Sequence, residues 1–172
     1  MPESAPAEVK FCSRCGTAMV TERRGDRPRR VCPACGYVHF TDPKVGVGVV
    51  VLHEGKLLLV RRTMNPERGK WSLPAGFLDA GEDPAATAIR EAYEETNLEI
   101  AISGLIDVYF NPPRPDGGAS IFILYAGQLR GGQLQAGDDA DAAGFFGPDE
   151  LPELAFASTR AMVNRIFGDQ AS

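Results

Sequence analysis

The sequence predicts an α+β protein in which a small cysteine-rich module precedes one larger domain. Three observations carry that expectation. Two C-x2-C pairs are confined to the first 44 residues, short β-patterned runs alternate with glycine- and proline-marked turns, and one capped amphipathic helix interrupts the strands, with another near the end. A chain of 172 residues with 44% hydrophobic and 24% charged residues is long enough for one full core and an appendage. MPESAPAEVK has no apolar stretch of the secretory type. The longest apolar run, Val45 to Leu52, is far shorter than the ~20 residues of a membrane span, so a cytoplasmic protein is expected. Residues 1–44 hold eight Lys and Arg against five Asp and Glu, and the remainder ten against eighteen, which points to two parts with different roles.

Residues 1–10 read as a flexible N-terminus, 11–41 as the cysteine module and 42–172 as the main domain. In the module, Cys12-Ser-Arg-Cys15-Gly16 and Cys32-Pro-Ala-Cys35-Gly36 have the spacing of a structural zinc site. A C-x2-C knuckle supplies two thiolates from one bend, and a glycine directly after it suits a positive φ. Disulfides are disfavoured without a secretory signal, and four sulfur ligands would leave the metal no open position for catalysis. Between the knuckles, Arg23, Arg24, Arg27, Arg29 and Arg30 read as a solvated β-turn tip, with a phosphate grip as the alternative.

In the main domain, Val45–Leu52 and Lys56–Val60 read as strands joined at His53-Glu54-Gly55. Gly46 and Gly48 fall on one face of the first, for close approach of a ligand or for packing. Asp83 is the N-cap of the central helix, Pro84 its first residue and Asn97 its stop, and Ala85, Ala88, Ile89, Ala92 and Tyr93 form an apolar stripe. Glu91, Glu94 and Glu95 project from one side of that helix. Crowded carboxylates that are partly buried repel by about 4 kcal/mol per close pair at an effective dielectric of about 20, so something positive is expected among them. Leu98–Phe110 and Ala119–Leu129 read as strands, 131–144 as a loop, Phe145-Phe146 as the start of a short strand, and Ser158 as the cap of a final helix through Phe167.

With the glutamates placed, Gly76-x5-Glu82-x7-Arg90-Glu91-Ala92-Tyr93-Glu94-Glu95-Thr96-Asn97-Leu98 resembles the signature of the Nudix hydrolases, G-x5-E-x7-R-E-U-x-E-E-x-G-U. Only Asn97 departs, where the family has glycine. The resemblance implies a Nudix α/β/α sandwich with a mixed sheet, preceded by a zinc ribbon. It also implies divalent-metal-dependent attack of water on the diphosphate of a nucleoside diphosphate derivative, with Mg²⁺ or Mn²⁺ as the catalytic cofactor. By position, Glu91 and Glu95 would be metal ligands and Glu94 a ligand or base. A carbonyl of Ala75 or Gly76 would join them, Arg90 would orient the glutamates, and Glu82 would pair within the loop–helix unit. Relatives also use a downstream glutamate where Ala142 stands here, with Asp139 and Asp141 nearby, so that role stays unassigned.

A zinc ribbon followed by a Nudix domain resembles the subgroup of NADH, FAD and ADP-ribose pyrophosphatases. The NADH enzymes carry S-Q-P-W-P-F-P after the box. Here the region reads Asp107-Val-Tyr-Phe-Asn-Pro-Pro-Arg-Pro115, while Leu73-Pro-Ala-Gly76 and Leu154-Ala-Phe-Ala-Ser158 are more similar to the FAD and ADP-ribose type. Arg61, Arg62 and Arg114 are candidate phosphate contacts, and Tyr109 and Phe110 candidate base contacts; side chains of these types serve fold or surface more often. The competing readings are hydrolysis of capped RNA gripped by the basic ribbon, and a non-catalytic nucleotide sensor. A homodimer is expected only by analogy.

Overall fold

Both cysteine pairs sit in turns of one build. Gly16 N–H bonds Cys12 O and Gly36 N–H bonds Cys32 O, each at 2.9 Å, while the amides of Cys12 and Cys32 bond Thr17 O and Tyr37 O, each at 2.8 Å. Gly16 and Gly36 have φ of 75° and 73°, the left-handed conformation expected of them. The computed structural model describes residues 9–113 and 118–168, and the chain divides into two compact units between Pro43 and Lys44.

In the first unit, β1 (Val20–Arg24), β2 (Arg27–Val31) and β3 (Val38–His39) form an antiparallel sheet in that order. Cys12, Met19 and Cys32 make its small core, with Val9 and Tyr37 against it. The basic run is a hairpin whose arginines are largely engaged. Arg24 pairs with Glu22, Arg27 with Asp26, Arg29 stacks over Phe40, and Arg30 donates to the carbonyls of Val9 and Met19 and to Thr21 Oγ1.

The second unit holds a seven-stranded mixed sheet. Its strands are β4 (Lys44–His53), β5 (Lys56–Arg62), β6 (Trp71–Ser72), β7 (Ala75–Phe77), β8 (Leu98–Asn111), β9 (Ser120–Gly132) and β10 (Ala140–Phe146). The order is β10-β5-β4-β9-β8, with β6 on β5 and β7 on β4. β4 and β9 run parallel, from Lys44↔Ser120 to Val51↔Gly127. The β4–β5 hairpin pairs only Leu52↔Leu57 and His53↔Lys56 before the strands part. The segment 71–77 fills the fork, pairing with β5 through β6 and with β4 through β7.

The helices α1 (Pro84–Thr96) and α2 (Ala157–Phe167) cover opposite faces. Val49, Val51, Leu58, Leu98 and Ile100 pack with Ala92 of α1; Val50, Leu57, Leu59, Leu73 and Leu124 pack with Met162 and Val163 of α2. β4 and β5 are therefore buried on both sides, which is why their sequences are continuous apolar runs rather than alternating ones. The expected sandwich is present. Among the described residues no helix is long and apolar enough to cross a membrane.

Three local expectations are corrected. β10 begins at Ala140 and ends at Phe146, so Phe145-Phe146 closes the strand and does not open it; small residues bend there through a bulge between Ala140 and Ala142. Ser158 lies inside α2, whose N-cap is Phe156 without a side-chain bond. On α1, Ile89 and Tyr93 are 37% and 51% exposed, and the buried face is Thr87, Ala88, Ala92, Glu95 and Thr96. Alanines let the helix lie close to the sheet. The hydroxyls are satisfied locally, Thr87 on Glu82 and Asp83 O, and Thr96 on Ala92 O.

Candidate active site

Helix α1 is fixed at both ends. Asp83 Oδ1 accepts from the amides of Ala85 and Ala86, each at 3.0 Å, and Pro84 needs no partner at the first position. At the other end Asn97 takes the left-handed conformation, φ 56° and ψ 24°, and bonds Tyr93 O through its amide and Gln133 O through Nδ2. Asparagine thus does here what glycine does at such stops.

Along this helix the acidic residues are held differently. Glu82 Oε2 accepts from Asp79 N–H and Thr87 Oγ1, each at 3.0 Å, and from Arg90 at 3.3 Å. The Asp79 amide first, then the Thr87 hydroxyl and Arg90, hold its carboxyl below the usual range. Arg90 also reaches Glu91 at 3.0 Å and Glu94 at 2.8 Å, so one guanidinium bridges three carboxylates. The Glu91 carboxyl lies directly over Gly76, where any Cβ would overlap it. Burial first, with the charges of Glu94 and Asp138, raises its pKa against the opposing pull of Arg90. Glu95 is 6% exposed and accepts the Ala75 amide at 3.0 Å. Burial, with Glu91 and Asp139 adding, pushes its pKa up to about 8 against the Ala75 amide and Arg62.

The β4–β7 ladder explains why Ala75 is available. Val49 N–H bonds Pro74 O, Leu78 N–H bonds Val45 O, and Val47 lies opposite Gly76. In an antiparallel ladder this makes Val47 and Gly76 the hydrogen-bonded pair. Gly76 is committed to β4, while the N–H and C=O of Ala75 turn away from it, the amide toward Glu95.

The loop before β10, whose Asp139 the sequence reading names and whose Asp138 it does not, completes the surroundings. Gln135 and Gly137 donate their amides to Thr96 O and Glu95 O, at 3.0 and 3.2 Å, and Thr63 holds Asp139 O through its amide and hydroxyl. The loop is thereby stapled to the end of α1, with Asp138 at φ 48°, and the charges of Asp138 and Asp139 act on Glu91 and Glu95 respectively. Asp141 is tied to Arg61 at 2.7 Å. The Gly-Asp-Asp sequence after Ala136 was the available signal, but it reads equally well as an ordinary turn.

The proposed substrate contacts separate. Arg62 lies over Phe156 and donates to Pro66 O, Tyr109 sits half-buried on the α2 side, and Phe110 is 69% exposed on the opposite face of β8. Arg114 lies outside the described residues.

The donor sets fit two kinds of metal. All four cysteines are free, and their sulfurs stand 3.5–3.7 Å apart in three contacts, close to the ~3.8 Å edge of a tetrahedron with ~2.3 Å zinc–sulfur bonds. Among the described residues they alone bring three or more ligand atoms within 4.8 Å of one another; of the glutamates, Glu94 is paired with Arg90 and Glu95 with the Ala75 amide. Partly buried carboxylates beside a free carbonyl are the donors of a hard divalent cation.

Comparison with known proteins agrees with the geometry. Residues 42–165 match the NUDIX domain model and residues 10–41 the Nudix N-terminal model, a zinc ribbon. The chain is 40% identical over 120 residues to an ADP-ribose pyrophosphatase of Methanocaldococcus jannaschii, covering 70% of this chain and 71% of that protein. It is 31% identical over 153 residues to the NAD-capped RNA hydrolase NudC of Chromobacterium violaceum, covering 84% of this chain and only 52% of that one. The crystal structure of a NUDIX hydrolase from Nitrosomonas europaea superposes with a TM-score of 0.82 at 34% identity, covering 91% of this chain and 90% of the other. The chain belongs to the Nudix family: it is a Nudix pyrophosphohydrolase preceded by the family's N-terminal zinc ribbon.

Proposed function

We propose that the protein cleaves the diphosphate of an ADP-containing nucleotide, ADP-ribose or FAD, with Mg²⁺ or Mn²⁺ at the acidic helix. The observation that carries this reading is the seating of Glu91 and Glu95 against Gly76 and Ala75, two carboxylates with raised pKa values in one partly buried place. Glu91, Glu95 and Glu94 would hold the ion together with the Ala75 carbonyl, which is more available than that of Gly76. Such an ion neutralises charge on the diphosphate and lowers the pKa of a bound water. Arg90 keeps the three glutamates on one side, and the loop at Asp138 and Asp139 supplies further carboxylates where Ala142 cannot. Arg62, whose charge acts on Glu95, is the phosphate contact this reading favours, and Arg61 would first have to leave Asp141. The name of the Methanocaldococcus relative favours ADP-ribose. Zn²⁺ on Cys12, Cys15, Cys32 and Cys35 has a structural role.

Similarity to NudC across both the ribbon and the Nudix domain favours a second reading, hydrolysis of capped RNA. The engagement of four of the five hairpin arginines with their own unit weighs against it. Exposed Leu105, Val108 and Phe110 on the outer strand β8 support association into a homodimer, which light scattering would detect. The substrate test incubates the protein and Mg²⁺ with ADP-ribose, FAD, NADH and NAD-capped RNA separately. Fastest AMP release from ADP-ribose or FAD is expected; preference for NADH or capped RNA would replace the substrate reading, and binding without cleavage would favour a sensor.

A further inference from the structure

Toward the β4–β5 turn, the α2 face of the sheet is incompletely covered. Val50 of β4 lies opposite Ala126 of β9, and Ala126 lies opposite Gly104 of β8. Directly paired residues share a face, so the side chains along this row shrink from valine to alanine to none. A Cβ on Gly104 would meet no atom within 4 Å, so the space above it is open. On the other face, a Cβ on Gly127 would come 2.7 and 3.2 Å from the Cγ2 atoms of Val49 and Val51. At this level the α1 side is filled and the α2 side is not.

The opening is a groove of about 310 Å³. Val50, Leu52, Ile106 and Ala126 line it from the sheet, and Met162, Arg165 and Ile166 line it from the second half of α2. Val50 and Met162 are buried, while Leu52 at the rim is 47% exposed. β7, which carries the seats of Glu91 and Glu95, pairs with β4 only from Gly46 to Gly48. Leu52 lies about 13 Å further along that strand, at ~3.3 Å per residue, so the groove is apart from the acidic site.

Arg165 is the one charged side chain on the groove. It is exposed, and among the described residues its side chain has no ion pair or hydrogen bond. Asp107 is the acidic neighbour. Its charge and that of Arg165 act oppositely on the Tyr109 hydroxyl, yet no ion pair joins the two, and Asp107 Oδ1 accepts the Val108 amide at 2.8 Å. A cation in the last turn of a helix is favoured by the helix dipole alone, but an open apolar trough beside it is not. Eight residues line the groove, against about 20–30 on each side of a stable protein interface. Its volume instead falls at the lower end of small-molecule sites, about 300–1,000 Å³.

We propose that this groove is a second ligand site, which takes a small aliphatic carboxylate. The chain lies over Ala126 and Gly104 between the sheet and α2, and the carboxylate meets Arg165 at the rim. A carboxylate alone gains little from an exposed arginine, and an apolar chain alone makes no use of it; the two parts together select an amphipathic anion. The site is independent of which nucleotide the acidic helix serves.

The test titrates the full chain with octanoate, octylammonium and acetate, followed by methyl NMR. Octanoate is expected to bind with a Kd on the order of 1–10 mM and to shift the methyls of Val50, Leu52, Ile106, Met162 and Ile166. Octylammonium, with the same chain and the opposite charge, should bind about 5- to 20-fold more weakly, although the net charge of -5 favours it elsewhere on the surface, and acetate should shift none of these methyls. Arg165→Gln should bring the two octyl ligands within about twofold of each other. Ala126→Leu, which fills the trough from its floor, should abolish the octanoate shifts; if that variant does not fold, Arg165→Gln decides. No shifts with octanoate, equal affinity of the wild type for the two octyl ligands, an unchanged preference in Arg165→Gln, or octanoate binding that survives in a folded Ala126→Leu would overturn the proposal. So would light scattering showing a dimer that Ala126→Leu disrupts, since a second copy would then be the occupant.

Discussion

The Glu91 carboxyl occupies the volume that any side chain at residue 76 would need. Gly76→Ala is therefore expected to push Glu91 out of place while leaving the fold standing. A shift of about 1 Å in a catalytic group can cost about 100-fold in rate, and a loss of that order in kcat/KM with little change in melting temperature is the expected result. Unaltered kcat/KM would show that the seat of Glu91 is dispensable. The acidic set itself was legible, because i, i+3 and i+4 spacing puts Glu91, Glu94 and Glu95 on one side of a helix. Their unequal environments were not. That Glu95 is buried on Ala75 while Glu94 is drawn out by Arg90 depends on where β7 lies, a contact between segments about twenty residues apart. Asp138 was missed for a similar reason: only the amide bonds from its loop to the end of α1 bring it near.

At the scale of the element, α1 was readable at its ends and misread on its flank. Asp83, Pro84 and Asn97 act through local hydrogen bonds and dihedral preferences, which sequence reports directly. Ile89 and Tyr93 were expected inward, but alanines and satisfied threonines face the sheet, since close approach matters there more than side-chain size. β10 was shortened in the reading because Ala142, Ala143 and Gly144 have little strand preference of their own, and pairing with β5 imposes the conformation. Removing the cap by Asp83→Ala should destabilise the protein by about 1 kcal/mol, measured by denaturant unfolding. In the sheet, Leu57→Ala should cost about 2–5 kcal/mol, because Leu57 is fully buried on the α2 side. A smaller cost at Leu57 than at Asp83 would contradict the assignment of the core.

Across the whole molecule, two units divide the work of metals. Among the described residues the first unit buries only four hydrophobic side chains, Cys12, Met19, Val31 and Cys32, so a bound ion is expected to supply much of its stability. Elemental analysis should find one zinc per chain and little in Cys32→Ser. Wild-type protein that is folded throughout without zinc would count against a structural ion. The second unit has helices on both faces of its sheet and a filled fork between β4 and β5, and the carboxylates are held by its own α1 and β7. This division was visible in the confinement of all four cysteines to the first 44 residues; the fork was not, because it arises from β4 and β5 parting after two pairs.

The central claim is that the buried carboxylates of α1 make this a metal-dependent diphosphate hydrolase, and AMP release from ADP-ribose tests it most directly. Rates are compared for wild type and Glu95→Gln, each with Mg²⁺ and with a chelator in its place. Wild-type turnover that requires Mg²⁺ and falls at least about 100-fold in a folded Glu95→Gln is the predicted result. Turnover that survives the chelator, or equal rates for the two proteins, would contradict it.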